Sequence, residues 1–208
     1  MTLWRFSFFF TGIFILALGI ALTIHSNLGT SPFDALQVGL YINFGLTVGS
    51  WEIFLGTCFV ILNALLQWKK PEYLCIVTSL FTGVCIDFWL FMTPWVQPEH
   101  IITQFIVLLF GLIFMGLGIA VNLQADFAPN PMDRTMLVIK KLTGLNVTVS
   151  RGIISIVLVI LAFILSGPIG IGTVLSALFG GMIIQSFMPY VQSVYEMKKT
   201  HRKTHLSS

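Results

Sequence analysis

Charged residues are scarce in this chain. Only 9% of its 208 residues are Asp, Glu, Lys or Arg, whereas 56% are hydrophobic and the mean hydropathy is +0.94. A soluble domain carries about 25% charged residues, and a chain of this length could not bury so much apolar surface in one core. The composition therefore leaves little room for a soluble domain and predicts an all-α polytopic membrane protein.

Cysteine is also rare, and sequence motifs for chemistry are missing. The three cysteines lie within apolar stretches and have no metal-binding or redox spacing: Cys58, Cys75 and Cys85. The sequence contains no His/Glu metal spacing, no nucleophile paired with a base and no phosphate-binding loop. We therefore expect no enzymatic activity, no catalytic residues, no metal site, no cofactor and no nucleic-acid partner.

Long apolar stretches make up most of the chain. A spanning helix needs about 20 mainly apolar residues, and six segments qualify: 6–26, 50–68, 73–94, 101–124, 150–166 and 171–191. Two further segments, 32–44 and 131–143, are too short to cross a hydrocarbon core of about 30 Å as a helix. The sequence thus predicts six transmembrane helices and two short helices that are broken or re-entrant.

The basic residues predict the orientation. With six spans and a cytoplasmic N-terminus, all 11 Lys and Arg fall on the cytoplasmic side or at its membrane edge. The three outer connections, near 27–49, 95–100 and 167–170, contain none. Counting the short helices as spans would place basic residues outside, against the positive-inside rule. We expect both termini to be cytoplasmic, with residues 192–208 as a basic tail.

The chain also repeats itself at an interval of 99 residues. Segments 11–34 and 110–133 align without a gap, and seven of their 24 positions are identical: Gly12, Leu18, Gly19, Ile20, Ala21, Pro32 and Asp34. Repeat A covers about 6–95 and repeat B about 100–191. Because three spans per repeat is an odd number, the second copy enters the membrane from the opposite side. The sequence predicts one transmembrane domain, residues 1–208, made of two inverted three-span repeats, an arrangement typical of transporters.

Both short helices begin with the same local pattern. Each has an N-cap side chain, a proline at the first helical position and an aspartate at the third: Ser31, Pro32 and Asp34 in the first, Asn130, Pro131 and Asp133 in the second. Capping alone accounts for these residues. If both helix starts point into the protein, their free N–H groups could instead bind a small polar or anionic solute. Short helices lying flat in the membrane interface would provide no such site.

A second polar pair lies inside spans three and six. Asp87 and Gln185 occupy equivalent positions at an offset of 98 residues. An ionisable residue within a span is a functional candidate because it is costly in lipid, although hydration of Asp87 near the outer interface is the alternative. Gln185 could instead bond a neighbouring helix.

Other polar and small residues have simpler interpretations. Glu52 and His25 flank span ends and are expected to be solvated. The glycines of spans one, four and six are expected to allow close helix packing, and they include Gly180 and Gly181 on span six.

Several segments carry a family resemblance. They are the sequences LGTSPFDAL at 28–36, LTVGSW at 46–51, GIGT at 170–173 and FGG at 179–181. Together they resemble the YczE-like family of bacterial integral membrane proteins over nearly the whole chain. A looser likeness to YitT-type membrane proteins lies in the Thr-x-Gly segment and at 63–65. The resemblance implies a bacterial plasma-membrane protein. Gln185 stands where the family's pattern has an acid, so a carboxylate role is not carried over to that position.

We therefore predict a multi-pass inner-membrane protein that transports or conducts a small solute through a site between its repeats. The alternative is a non-transporting accessory protein that supports an exporter or a membrane-associated biosynthetic complex. The lipid bilayer is the expected partner, and the sequence leaves the oligomeric state open.

Overall fold

The computed structural model describes residues 3–125 and 127–206, with side chains described for 4–125 and 127–197. Within these residues all regular structure is helical. Eight helices follow one another along the chain: α1 (Leu3–His25), α2 (Pro32–Phe44), α3 (Val48–Gln67), α4 (Tyr73–Met92), α5 (Ile101–Gln124), α6 (Pro131–Thr143), α7 (Val147–Ile164) and α8 (Ile171–Leu206).

Six of these helices are long and apolar enough to cross a membrane. They contain the segments Trp4–His25, Val48–Gln67, Tyr73–Met92, Ile101–Gln124, Val147–Ile164 and Ile171–Met197. The remaining two, α2 and α6, have 13 residues each. The prediction of an all-α protein with six spans and two short helices is confirmed. Helix α8 continues past Pro189 to Leu206, so the tail is helical up to that residue, and the side chains of its basic residues lie outside the described part.

Side-chain caps set where two of the spans begin. Thr47 Oγ1 accepts a hydrogen bond of 3.0 Å from the backbone N–H of Ser50, and Asn146 Oδ1 accepts one of 2.8 Å from Val149. Each cap satisfies a donor that the first helical turn leaves unpaired. Helices α3 and α7 therefore begin two or three residues before the apolar stretches predicted from the sequence. The two capping residues, Thr47 and Asn146, are separated by the repeat interval of 99 residues.

Helices α1 and α5 pack against each other more extensively than any other pair in the described residues. A Cβ atom added at Gly118 would lie 2.3 Å from the backbone nitrogen of Leu16, and one at Gly19 would lie 2.4 Å from that of Met115. Residue numbers fall along α5 as they rise along α1, so the two helices are antiparallel. The predicted role of glycine in close packing is confirmed here.

Gly180 and Gly181 on α8 behave differently. Among the described residues, no other helix places an atom within 4 Å of a Cβ atom added at either position. The prediction that these two glycines admit a neighbouring helix is therefore wrong for the described chain, because the face of α8 that carries them packs against no other helix.

The remaining helix contacts come in related pairs. Helix α1 packs on α4 as α5 does on α8, α2 packs on α7 as α6 does on α3, and α2 packs on α3 as α6 does on α7. If α1 is exchanged with α5, α2 with α6, α3 with α7 and α4 with α8, the first contact of each pair turns into the second. One pair departs from this rule, since α3 packs along α4, whereas α7 and α8 make no comparable contact in the described residues.

The two short helices share one apolar cluster. Phe33, the second residue of α2, is 5% exposed and is buried with Leu36 of the same helix and Leu158 of α7. Met132, the second residue of α6, packs against the same cluster. The first turns of both short helices therefore border one interior region, between α3 and α7.

Candidate functional site

The start of α2 is a buried, internally bonded turn. Ser31 Oγ accepts a hydrogen bond of 3.3 Å from the backbone N–H of Asp34 and donates one of 2.6 Å to Asp34 Oδ2. Pro32 follows at the first helical position, where no N–H is needed. The Asp34 side chain is 3% exposed. The predicted helix start is confirmed, with Ser31 as its cap and the Asp34 carboxylate bonded to the capping hydroxyl.

The start of α6 has the same design with different contacts. Asn130 Oδ1 accepts a hydrogen bond of 3.0 Å from the backbone N–H of Met132. The following Pro131 is fully buried, and its carbonyl accepts bonds from Asn63 of α3 at 3.3 Å and from Thr135 at 3.0 Å. Asp133 is half-buried. The first turn of α6 therefore lies against the interior of α3.

A polar group that the sequence did not predict lies beside the start of α2. Gln37 of α2 donates a hydrogen bond to Oε2 of Glu52 on α3, and Ser79 of α4 lies next to the Glu52 carboxylate. Gln37 and Ser79 are 0% exposed and Glu52 is 1% exposed. The expectation that Glu52 is solvated is wrong, because α2 covers the face of α3 that carries it. We call Asp34, Gln37, Glu52 and Ser79 the polar cluster.

Several polar atoms of this region have no partner. Buried polar groups are almost always hydrogen-bonded in native proteins, and leaving one unpaired costs about 1–3 kcal/mol. Nevertheless Gln37 Oε1, Glu52 Oε1 and Ser79 Oγ are buried without a hydrogen-bond partner among the described residues, as is Asn63 Oδ1 further along α3. The three unpaired oxygen atoms of the polar cluster are therefore available to bind a polar ligand.

The two aspartates at the helix starts are electrostatically different. Burial raises the pKa of Asp34 to about 6, and the hydrogen bond from Ser31 opposes the rise. Burial also raises the pKa of Asp133, but there the positive charge of Arg151 opposes it. Asp34 instead interacts with the carboxylate of Glu52. The α2 end thus brings two acids together, whereas the α6 end brings an acid and a base.

Asp87 lies outside the polar cluster and joins two helix ends. Its Oδ1 accepts a hydrogen bond of 2.8 Å from the backbone N–H of Gly49, and its Oδ2 accepts one of 2.6 Å from Thr47 Oγ1. It therefore caps the N-terminus of α3, where a carboxylate is favoured by the free N–H groups and the helix dipole.

Replacement of this cap gives a direct test of its role. We expect Asp87→Ala to lower the free energy of unfolding by about 1–2 kcal/mol, the usual cost of a lost N-cap. Thermal unfolding of the purified variant measures the effect. An unfolding temperature equal to that of the wild type would contradict the capping role.

The other polar candidates lie apart from the cluster. Gln185 is exposed on α8, so the structure does not bring it together with Asp87 or with the polar cluster. His25 is half-buried and its Nε2 lies 3.1 Å from Thr93 Oγ1. The expectation that His25 is solvated is therefore also wrong, because the end of α4 covers the end of α1.

The sequence repeat contains a pattern that singles out Glu52, one residue of the polar cluster. The interval of 99 residues that relates Thr47 to Asn146 also relates Glu52 to Arg151. Ionisable residues at equivalent positions of two apolar helices indicate a functional role, since each is costly to place in a span. Gln37 carried no comparable signal, because its equivalent is Met136.

Comparisons with known proteins agree with this architecture. Residues 3–189 match a family of unknown function, DUF6198. The uncharacterized protein YyaS of Bacillus subtilis (strain 168) is 44% identical over 189 residues, covering 90% of this chain and 94% of that protein. The uncharacterized membrane protein YczE of the same organism is 35% identical over 186 residues, covering 89% and 86%.

A more distant relative extends the set to another bacterium. An uncharacterized protein of Haemophilus influenzae (strain ATCC 51907 / DSM 11121 / KW20 / Rd) is 30% identical over 176 residues, covering 84% of this chain and 78% of that protein. No solved structure matches the chain. The resemblance to YczE-like proteins is confirmed, and the chain belongs to the DUF6198 family of YczE-like membrane proteins.

Proposed function

We propose that this membrane protein is a transporter or channel for a small polar solute, with its site where two inverted halves meet. One observation carries the proposal: buried polar atoms without partners lie beside the first turn of α2, within a set of membrane-spanning helices. Polar groups at membrane depth are expensive and usually mark solute or ion pathways. We propose no enzymatic role.

The inverted arrangement is supported by the helix packing. The antiparallel contact of α1 with α5 and the exchange of contact pairs between the halves are what a two-fold axis in the membrane plane requires. The starts of α2 and α6 then approach α3 from opposite sides, near Glu52 and Asn63 respectively. In this arrangement both short helices are re-entrant rather than interfacial, and both point their N-termini inward.

The chemistry of the two helix starts limits the solute. Free helix N-termini favour anions, but at α2 the Ser31 cap and Asp34 already occupy this end, and Glu52 adds a second acid. An anion is therefore disfavoured at the polar cluster. We propose a neutral or cationic polar solute there.

The test of this function is flux into proteoliposomes. The purified protein would be offered a panel of labelled amino acids, polyols, amines and alkali cations, with protein-free vesicles as the control. Uptake of one class above the control supports transport. If the folded protein moves nothing in the panel and is stabilised by nothing in it, the proposal fails and the accessory role becomes the better hypothesis.

The orientation is a separate prediction. We propose a bacterial plasma-membrane protein with both termini cytoplasmic, so single cysteines at the exposed positions Trp95 and Ile169 should react with an impermeant thiol reagent from outside, whereas one at Lys69 should not. The background should carry Cys58→Ser, because Cys58 is the exposed native cysteine of the described residues. Labelling of Lys140→Cys from outside would contradict the inverted arrangement, since the positive-inside rule places α6 at the cytoplasmic edge.

A further inference from the structure

The polar cluster is rich in oxygen atoms and lacks a positive partner. Its unpartnered atoms include a carboxylate oxygen of Glu52, the amide oxygen of Gln37 and the hydroxyl of Ser79. Among the described residues, no basic side chain forms an ion pair with Asp34 or Glu52, and the charge acting on Glu52 is that of Asp34, which has the same sign. The negative charge of the polar cluster is therefore not balanced by a basic side chain of the described residues.

The second half of the chain shows what is missing. Arg151 of α7 occupies the position equivalent to Glu52, one repeat interval later, and its charge acts favourably on Asp133. There the protein supplies its own cation opposite the aspartate of the short helix. In the first half the equivalent position carries a second acid, so a positive charge must come from outside the chain or a proton must neutralise the pair.

The two acids of the polar cluster differ in how far their negative charge is offset. The Asp34 carboxylate accepts a hydrogen bond from the Ser31 hydroxyl and lies in the first turn of α2, where the positive end of the helix favours it. Glu52 accepts a hydrogen bond from Gln37, and the Ser79 hydroxyl lies next to its carboxylate, but both of these groups are neutral. In the described residues no group of three His, Cys, Asp or Glu side chains could hold a metal ion, which argues against a divalent transition metal. Hard oxygen atoms are the ligands that alkali cations share with Ca²⁺ and Mg²⁺.

We propose that Asp34, Gln37, Glu52 and Ser79 form a binding site for a monovalent alkali cation, enclosed between α2, α3 and α4. Glu52 Oε1, Gln37 Oε1 and Ser79 Oγ supply the free ligand atoms, and Asp34 adds negative charge beside them. This site deepens the proposed transport function, on which its role as a transported or coupling ion rests. Binding itself is measured without a membrane, so the two proposals can fail separately.

The test is thermal unfolding of the full-length protein in detergent. Lithium, sodium and potassium chloride are titrated at mildly alkaline pH, and N-methyl-D-glucamine chloride keeps the ionic strength constant. A ligand that binds only the folded state raises the unfolding temperature with its concentration. We expect at least one alkali cation to do so, and we expect Glu52→Gln to abolish the effect while the matched surface variant Glu99→Gln retains it.

A second variant keeps the test decisive if Glu52→Gln does not fold. Ser79→Ala removes one ligand atom without changing charge, and we expect it to raise the half-saturating cation concentration by about tenfold, equivalent to about 1.4 kcal/mol. Equal unfolding temperatures of the wild-type protein in all four salts would overturn the cation site, leaving a proton or water as the occupant. Cation stabilisation without any flux would preserve the site but remove its transport role.

Discussion

Asp34→Asn and Glu52→Gln should each lower solute flux into proteoliposomes by at least about tenfold while the protein remains folded. Both substitutions keep the size of the side chain, but they replace one accepting oxygen with an NH₂ donor and remove a negative charge from the polar cluster. A hydrogen bond to a charged group is worth about 1.5–3 kcal/mol, so its loss at a binding site corresponds to a tenfold or greater loss of affinity. The measurement is the initial rate of uptake of whichever solute the panel identifies.

The control for this prediction is the same Glu→Gln substitution at a position outside the polar cluster. Glu99 is an exposed acid between α4 and α5, and Glu99→Gln should leave the initial rate unchanged. Circular dichroism and gel filtration verify that each variant is folded. Wild-type rates in both cluster variants would show that the solute does not use the polar cluster, whatever the protein transports.

Gly118→Ala should destabilise the protein by about 1–3 kcal/mol, the usual cost of overpacking a tight contact. The added Cβ atom would lie 2.3 Å from the backbone nitrogen of Leu16. Neither backbone can yield without moving a whole helix, since α1 and α5 form the most extensive contact of the described fold. We expect a lower unfolding temperature in detergent.

Gly152→Ala is the matched control for the effect of alanine itself. Gly152 lies inside α7, where no other described helix places an atom within 4 Å of an added Cβ atom. Alanine is favoured over glycine in a helix by about 1 kcal/mol, so this variant should be as stable as the wild type or more so. Equal stability of the Gly118 variant would mean that α1 and α5 do not pack as closely as described.

The sequence determined the elements of this fold because lipid imposes a simple rule on them. Six apolar stretches of sufficient length had to become spanning helices, and their number is that of the structure. The starts of α2 and α6 were equally predictable, since Ser31 and Asn130 pair with backbone N–H groups only two or three residues away. Local chemistry of this kind needs no knowledge of the rest of the chain.

The tertiary structure alone decided which polar residues meet. Glu52 lies near the start of a span, where sequence position suggests contact with water, but α2 folds over it and Gln37 bonds to it. Asp87 lies within a span, where sequence position suggests function, but it caps a neighbouring helix instead. Hydropathy records how apolar a segment is, whereas burial of one face depends on which other helix covers it. The composition of this chain therefore established a membrane protein, and the packing of α2 and α4 against α3 established where its polar interior lies.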